Sequence, residues 1–365
     1  MKRILALQGG GLRGVIEVAY LERLEALVRA RRGPEVVLGD VFDLVGGTST
    51  GAIIATAVAC GLSMAELKAF YFERAPVIFR RRPVNVFGVI PSYDGAVLER
   101  EFRAVVGDRR LGDPDLKAHL AMVLKRVDTG AVWIVSSLPG APYFADPPDG
   151  SYIGNRHYAL ARLLRASAAA PGFFGPVAMA VHDDLPPGVF VDGGVSPYND
   201  PSLALLMLAR MRTFGLEWEL GADKLALVGV GTGHARRTVP PHMAERSLPI
   251  KLAGLTLLGM LQDAERQALT LLQWLGRPLR PEAVNSEIGD MAGEQLLAEP
   301  LFTYLRLNLD LDRAGVAALG FELTEAELER LRAIDDLGSL PLLYALGERA
   351  AGQQLDDKVL DQLGL

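Results

Sequence analysis

Cysteine is nearly absent: Cys60 stands alone in 365 residues, and one thiol cannot build an internal disulfide framework. That scarcity matches a reducing compartment, and Cys60, inside an apolar stretch, reads as a structural thiol. Basic charge is also in short supply. Lys and Arg total 38 against 44 Asp and Glu, a net charge of −6, and the one notable basic run is Arg80-Arg81-Arg82. Phosphate backbones are bound by a clustered excess of cations, so no nucleic-acid partner is expected. No apolar run is long enough to cross a bilayer, because Leu252 to Gln262 is bracketed by Lys251 and Asp263. A first strand is expected from residue 3, which leaves no stretch for a secretory signal and makes the cytoplasm the expected location. Internal repeats and low-complexity tracts are missing as well. What is present is a chain of 50% hydrophobic residues, enough for a sizeable core.

The stretch around which the chain is organised runs from Val41 to Ala57, an apolar strand that passes through Gly47-Thr48-Ser49-Thr50-Gly51 into an apolar helix. In G-x-S-x-G the small residues let the backbone turn so sharply that the serine sits in strained geometry, its hydroxyl exposed at the positive end of the helix. Ser49 is therefore the first candidate for chemistry. Gly47 and Gly51 support the turn.

A short strand over residues 3–7 leads into Gln8-Gly9-Gly10-Gly11-Leu12-Arg13-Gly14 and then a helix stopped by Gly33-Pro34. The opening order of strand, Gly-rich loop, helix, strand, elbow and helix predicts a layered α/β domain with a largely parallel sheet. Gly9, Gly11 and Gly14 also match G-x-G-x-x-G, the dinucleotide-binding fingerprint. Against that use, Asp43 lies in the middle of its apolar run, whereas a ribose-binding acid belongs at the carboxyl end of the second strand. Consecutive glycines at a helix N-terminus also offer backbone N–H groups to an anion, so Gly9, Gly10 and Gly11 are read as an oxyanion hole beside Ser49. Arg13 either supplies a fixed positive charge for an acidic head group or caps surface.

Further along, Ser63-Met-Ala-Glu66 and Thr324-Glu-Ala-Glu327 are capping boxes that open helices. Leu120 to Val127 and Ala131 to Ser136 pair as a hairpin around Asp128-Thr129-Gly130. A helix from Tyr158 to Ala170 ends at Pro171-Gly172, with residues in its last turns small enough for close backbone approach. Val189-Phe190-Val191-Asp192-Gly193-Gly194 sets an acid at the end of a strand, and Gly193 and Gly194 permit close approach, which makes Asp192 the second catalytic candidate. Leu225 to Val230 is another strand, followed by Gly231-Thr232-Gly233-His234. Residues 236–365, including a long apolar helix from Ile250 to Leu275, are expected to form a mostly helical layer over the sheet. The apolar and basic loop from Phe79 to Phe87 and the helix from Ile250 are the expected points of peripheral membrane contact.

Taken together, Gly9-Gly10-Gly11-Leu12-Arg13-Gly14, the elbow, Ala166-Ser167-Ala168-Ala169-Ala170-Pro171 and Asp192-Gly193-Gly194 occur in the order of the patatin-like phospholipases, and the chain resembles the bacterial cytoplasmic members. The resemblance implies a three-layer α/β/α fold with a helical C-terminal region, residues 1–235 forming the catalytic core. It implies hydrolysis of phospholipid or another acyl-ester lipid by a Ser-Asp dyad, Ser49 the nucleophile and Asp192 its base, with no metal, calcium or other cofactor. Gln8 departs from the acid often found before the three glycines. A free aspartate has a pKa of about 3.9 and is a weak base for a serine proton, so a triad through His234, in the chain order Ser, Asp, His, stays open as an alternative.

Overall fold

The computed structural model describes residues 1–82, 91–234 and 248–365. A nine-stranded sheet forms its centre, in the order β5-β6-β3-β2-β1-β7-β9-β8, with β4 paired to β3. The strands are β1 (Lys2–Leu7), β2 (Leu44–Thr48), β3 (His119–Arg126), β4 (Val132–Ser136), β5 (Val177–Met179), β6 (Gly188–Asp192), β7 (Leu225–Val230), β8 (Arg277–Pro278) and β9 (Thr303–Leu307). Strands β3, β2, β1, β7, β9 and β8 run parallel, whereas β4, β6 and β5 add antiparallel pairings.

The central strands read as unbroken apolar runs because both faces of the sheet are covered. Side chains alternate across it. Leu5, Leu7, Val45 and Val228 enter one apolar core, and Ile4, Ala6, Leu44 and Leu227 enter the other. The first core is roofed by helices α1 (Gly14–Arg32), α2 (Thr50–Ala59), α3 (Met64–Ile78), α4 (Gly95–Val106) and α5 (Leu160–Ser167). The second is covered by α6 (Ser202–Arg210) and the carboxyl half of α7 (Pro249–Leu275), through Leu205, Leu208 and Leu272. These layers give the three-layer α/β/α arrangement. Full burial of each such leucine contributes about 1.5–3 kcal/mol, which makes the sheet the rigid frame for whatever its loops carry.

The capping boxes form as their sequences predict. Ser63 Oγ accepts the Glu66 N–H at 3.3 Å while Glu66 accepts the Ser63 N–H at 2.8 Å. Thr324 and Glu327 repeat the exchange at the start of the helix Glu325–Arg332. Other expectations change. Asp43 is not inside the elbow strand but one residue before β2, ion-paired to Lys2 at 2.6 Å. Helix α5 stops at Ser167, and the next alanines leave it so that Ala169 C=O accepts the Asp192 N–H at 3.1 Å. The segment after residue 236, mostly helical, also adds β8 and β9 to the sheet.

Register sets the site. Leu7 pairs with both Gly47 and Val230, so the loops after β1, β2 and β7 leave the same edge of the sheet. On β3, pairing to β2 ends with Val123 opposite Thr48, and the next residue, Leu124, pairs with Asp192. Strand β6 thus arrives antiparallel where β2 stops, and the two meet end to end beside β3.

Candidate active site

Ser49 stands at the turn between β2 and α2 with φ 55° and ψ −121°, a conformation that side chains other than glycine seldom adopt. Only hydrogen fits beside it. A Cβ at Gly47 would lie 2.1 Å from the Gly51 carbonyl, and one at Gly51 would lie 2.2 Å from the Leu7 carbonyl oxygen. The turn is further held from the side: Ser49 N–H donates to Ser167 Oγ at 2.9 Å, and the Ser167 hydroxyl donates to the Val123 carbonyl at 2.8 Å. Ser167 was visible in the sequence only as one small residue among alanines. A lone hydroxyl in an apolar helix end was the available signal.

Ser49 Oγ donates to Asp192 Oδ2 at 2.7 Å, and the other carboxylate oxygen accepts the Gly194 N–H at 2.7 Å. Asp192 is buried. Burial pushes its pKa up to about 6, against the lowering effect of the Ser49 and Gly194 hydrogen bonds. Desolvation therefore supplies the basicity that a solvated aspartate lacks. Gly193 packs on the β3 backbone, where a Cβ would meet the Val123 carbonyl oxygen at 2.3 Å.

The glycine loop reaches this pair. A Cβ at Gly9 would sit 3.3 Å from Ser49 Cβ. Of the three glycines read as oxyanion donors, Gly9 is corrected, since its N–H is committed to the Asn199 carbonyl at 3.1 Å. The N–H groups of Gly10 and Gly11 make no hydrogen bond to the described residues. Gly10 lies against Thr232, and Gly11 has φ 60°. Leu12 anchors the loop in the core and donates its N–H to the Ile334 carbonyl at 2.8 Å. Arg13 is half-buried and donates to the Gly233 carbonyl at 3.4 Å, so it is more than a surface cap. Gly14 opens α1 against Thr50 and Tyr71.

Gln8 stands among charges. Its carbonyl oxygen accepts from Arg306, its amide donates to Glu265 at 3.0 Å, and its backbone N–H donates to Glu17 at 2.8 Å. A carboxylate there would face two others. Burial holds the Glu17 carboxyl well above the usual range, so this environment already disfavours anions.

The triad needs an imidazole between serine and aspartate, yet Ser49 and Asp192 bond directly, and the backbone of His234 bridges to Leu309 and Leu311. A dinucleotide site needs an acid at the carboxyl end of β2, where the elbow stands, while Asp43 is at the other end. Phe79, half-buried, packs on Tyr93 and Phe174, with ring centroids 5.2 and 5.9 Å away. Arg81 and Arg82 pair with Asp335 and Asp94. Phe87 lies outside the described residues. Burial raises the Cys60 thiol to about 11, in keeping with a structural role.

The family model described as patatin-like phospholipase matches residues 5–206. Among relatives, Patatin-1-Kuras 2 of Solanum tuberosum is 27% identical over 264 residues, 68% of this chain and 66% of that protein. A protein of Vibrio cholerae named cGAMP-activated phospholipase is 25% identical over 358 residues, 93% of this chain and 95% of that protein. A protein of Escherichia coli with the same name is 28% identical over 236 residues, 63% of this chain and 62% of that protein. The chain spans just under two thirds of the length of the potato patatins it matches. Because the family match takes in more than half of the chain, with the glycine loop, the elbow and Asp192 all inside it, the chain belongs to the patatin-like phospholipase family.

Proposed function

We propose that the protein hydrolyses the acyl esters of phospholipids or related lipids through a Ser49-Asp192 dyad. The observation that carries this reading is the 2.7 Å hydrogen bond from Ser49 Oγ to a buried carboxylate, made at a strained elbow. Ser49 Oγ attacks the ester carbonyl carbon while its proton passes to Asp192 Oδ2. The carbonyl oxygen becomes an oxyanion that the unengaged N–H groups of Gly10 and Gly11 stabilise, aided by the adjoining helix N-termini. Collapse of the tetrahedral intermediate breaks the C–O bond, and Asp192 returns its proton to the leaving alcohol. Water, deprotonated by the same carboxylate, then cleaves the acyl-enzyme. With no imidazole in the relay, the reaction leans on the raised basicity of Asp192 and on the oxyanion loop.

Contact with the substrate's membrane falls to α7, whose amino-terminal half exposes Leu252, Leu257, Leu258 and Met260. A helix with that much open apolar surface gains by lying against lipid. Among the described residues no helix is long and apolar enough to cross a membrane. The near full-length likeness to the Vibrio cholerae protein makes activation by cGAMP the matching expectation for regulation.

The test is labelling with a fluorophosphonate followed by peptide mapping. Modification confined to Ser49 and absent in Ser49→Ala supports the reading. A folded Ser49→Ala variant that hydrolyses lipid esters at the wild-type rate sinks it.

A further inference from the structure

Two side-chain amides converge on one oxygen of Glu265, a residue of α7. Gln8 Nε2 donates to Glu265 Oε1 at 3.0 Å, and Asn199 Nδ2 donates to the same oxygen at 2.6 Å. Both amides bear directly on the glycine loop. Gln8 is its first residue. Asn199 holds Gly9 from two sides, its carbonyl accepting the Gly9 N–H at 3.1 Å and its Nδ2 donating to the Gly9 carbonyl at 3.3 Å. Gly9 in turn lies against Ser49, so the placement of the following Gly10 and Gly11 amides depends on how Gly9 is seated.

An amide N–H has no use for a second donor, and an acceptor is what both need here. Among the described residues Glu265 is the one acceptor for Gln8 Nε2, and the carbonyl end of Gln8 is taken by Arg306. Arg306 is itself fixed by an ion pair with Asp200 at 2.9 Å, both side chains buried. The chain of contacts therefore runs from the sheet through Arg306 and Gln8 to Glu265 and back through Asn199 to Gly9.

We propose that Glu265 is a positioning residue for the oxyanion loop, holding Gln8 and Asn199 so that the Gly10 and Gly11 amides face the carbonyl oxygen of the ester. This rests on the hydrolase reading above. It also makes α7 part of the catalytic apparatus: the helix that exposes leucines at its amino end carries, further along, the carboxylate that sets the loop. Glu265 touches no reacting atom in this scheme.

The test compares Glu265→Ala and Glu265→Gln with wild type on a water-soluble short-chain 4-nitrophenyl ester, where membrane binding plays no part. Glutamine keeps an acceptor oxygen and loses the charge. Glu265→Ala is expected to lower kcat on the order of 10²-fold, as displacement of positioned groups by about 1 Å does, with KM little changed, because the interaction matters in the transition state. The rate of fluorophosphonate labelling at Ser49 falls with it, and amide hydrogen exchange over residues 8–13 quickens. Glu265→Gln recovers most of the loss in all three. A folded Glu265→Ala with wild-type kcat per labelled site and unchanged exchange overturns the proposal, as does a Glu265→Gln as damaged as the alanine variant. If Glu265→Ala does not fold, the exchange and kinetics of Asn199→Ala decide, since the same loop displacement is expected there and normal values in it overturn the scheme. Failure of the hydrolase reading is recognised separately: the wild-type protein itself then neither turns over the ester nor labels at Ser49.

Discussion

Ser167 accepts the backbone N–H of Ser49 at 2.9 Å and passes its own hydroxyl hydrogen to the carbonyl of Val123 at 2.8 Å. One buried hydroxyl thus ties the strained nucleophile turn to the middle of strand β3, one residue before Leu124, with which Asp192 pairs. Ser167→Ala leaves a buried donor and acceptor without their partner, a cost of about 1–3 kcal/mol. The expected outcome is a folded protein with reduced denaturation stability and slower fluorophosphonate labelling of Ser49. Wild-type labelling kinetics in this variant count against a role in holding the turn.

The elbow glycines make a sharper prediction. Because a Cβ at Gly47 meets the Gly51 carbonyl at 2.1 Å, Gly47→Ala must push the two limbs of the turn apart, with a penalty of about 1–3 kcal/mol or more. Loss of Ser49 labelling together with a lowered melting temperature is expected. A variant that melts and labels as wild type does would falsify the turn geometry.

The features legible in the sequence are local ones. The elbow, the glycine loop and both capping boxes are set by residues within a few positions of one another, so spacing reveals them. Strand β9 is not legible in the sequence because Arg306 interrupts its five residues, and a buried arginine fits a strand only with Asp200 neutralising it at 2.9 Å. Asp192 was recognisable as an acid at a strand end, but not that its strand runs antiparallel and meets β2 head-on, since that depends on pairing to β3. Glu265 carries no local mark: Gln8, its partner, lies 257 residues away in the chain. The sequence extends helix α5 three residues too far at its carboxyl end because alanine favours helix, while the tertiary bond from Asp192 to Ala169 draws the chain out of it.

The exposed apolar face of α7 bears on substrate form. Leu257 and Met260 are 55% and 64% exposed, so a Leu257→Glu, Met260→Glu double variant should leave the fold and the soluble-ester rate unchanged. Vesicle binding should weaken at least about 10-fold, equivalent to about 1.4 kcal/mol. Sedimentation with vesicles of phosphatidylglycerol checks it, and undiminished binding refutes a lipid role for this face.

Asp192 also links the site to stability. Its folded pKa, about 6, exceeds the ordinary 3.8, so the native state favours the protonated form. The group's contribution is fully present below about pH 4 and is lost as pH rises through 6. Two pKa steps correspond to about 3 kcal/mol. Asp192→Asn, which cannot ionise, should therefore be more stable than wild type at pH 8, with the difference shrinking on acidification and gone below about pH 4. Thermal denaturation across that range measures it, and a constant difference contradicts the raised pKa.

Loss of the base itself separates dyad from triad. If Asp192 takes the serine proton directly, as the 2.7 Å hydrogen bond implies, Asp192→Asn removes the only base and lowers kcat by about 10²-fold to 10⁴-fold. His234→Asn then leaves kcat near wild type, because the backbone bonds of residue 234 to Leu309 and Leu311 survive the change. The pH profile adds a second line. With the carboxylate raised to about 6, kcat/KM should climb through that region as Asp192 ionises and then level off, and the limb should persist in His234→Asn and vanish in Asp192→Asn. An imidazole base gives a limb in nearly the same range, so the position of the limb alone decides nothing. Its fate in the two variants does: a limb lost in His234→Asn, with Asp192→Asn the less damaged of the two, would move the base to His234 while leaving Ser49 as nucleophile.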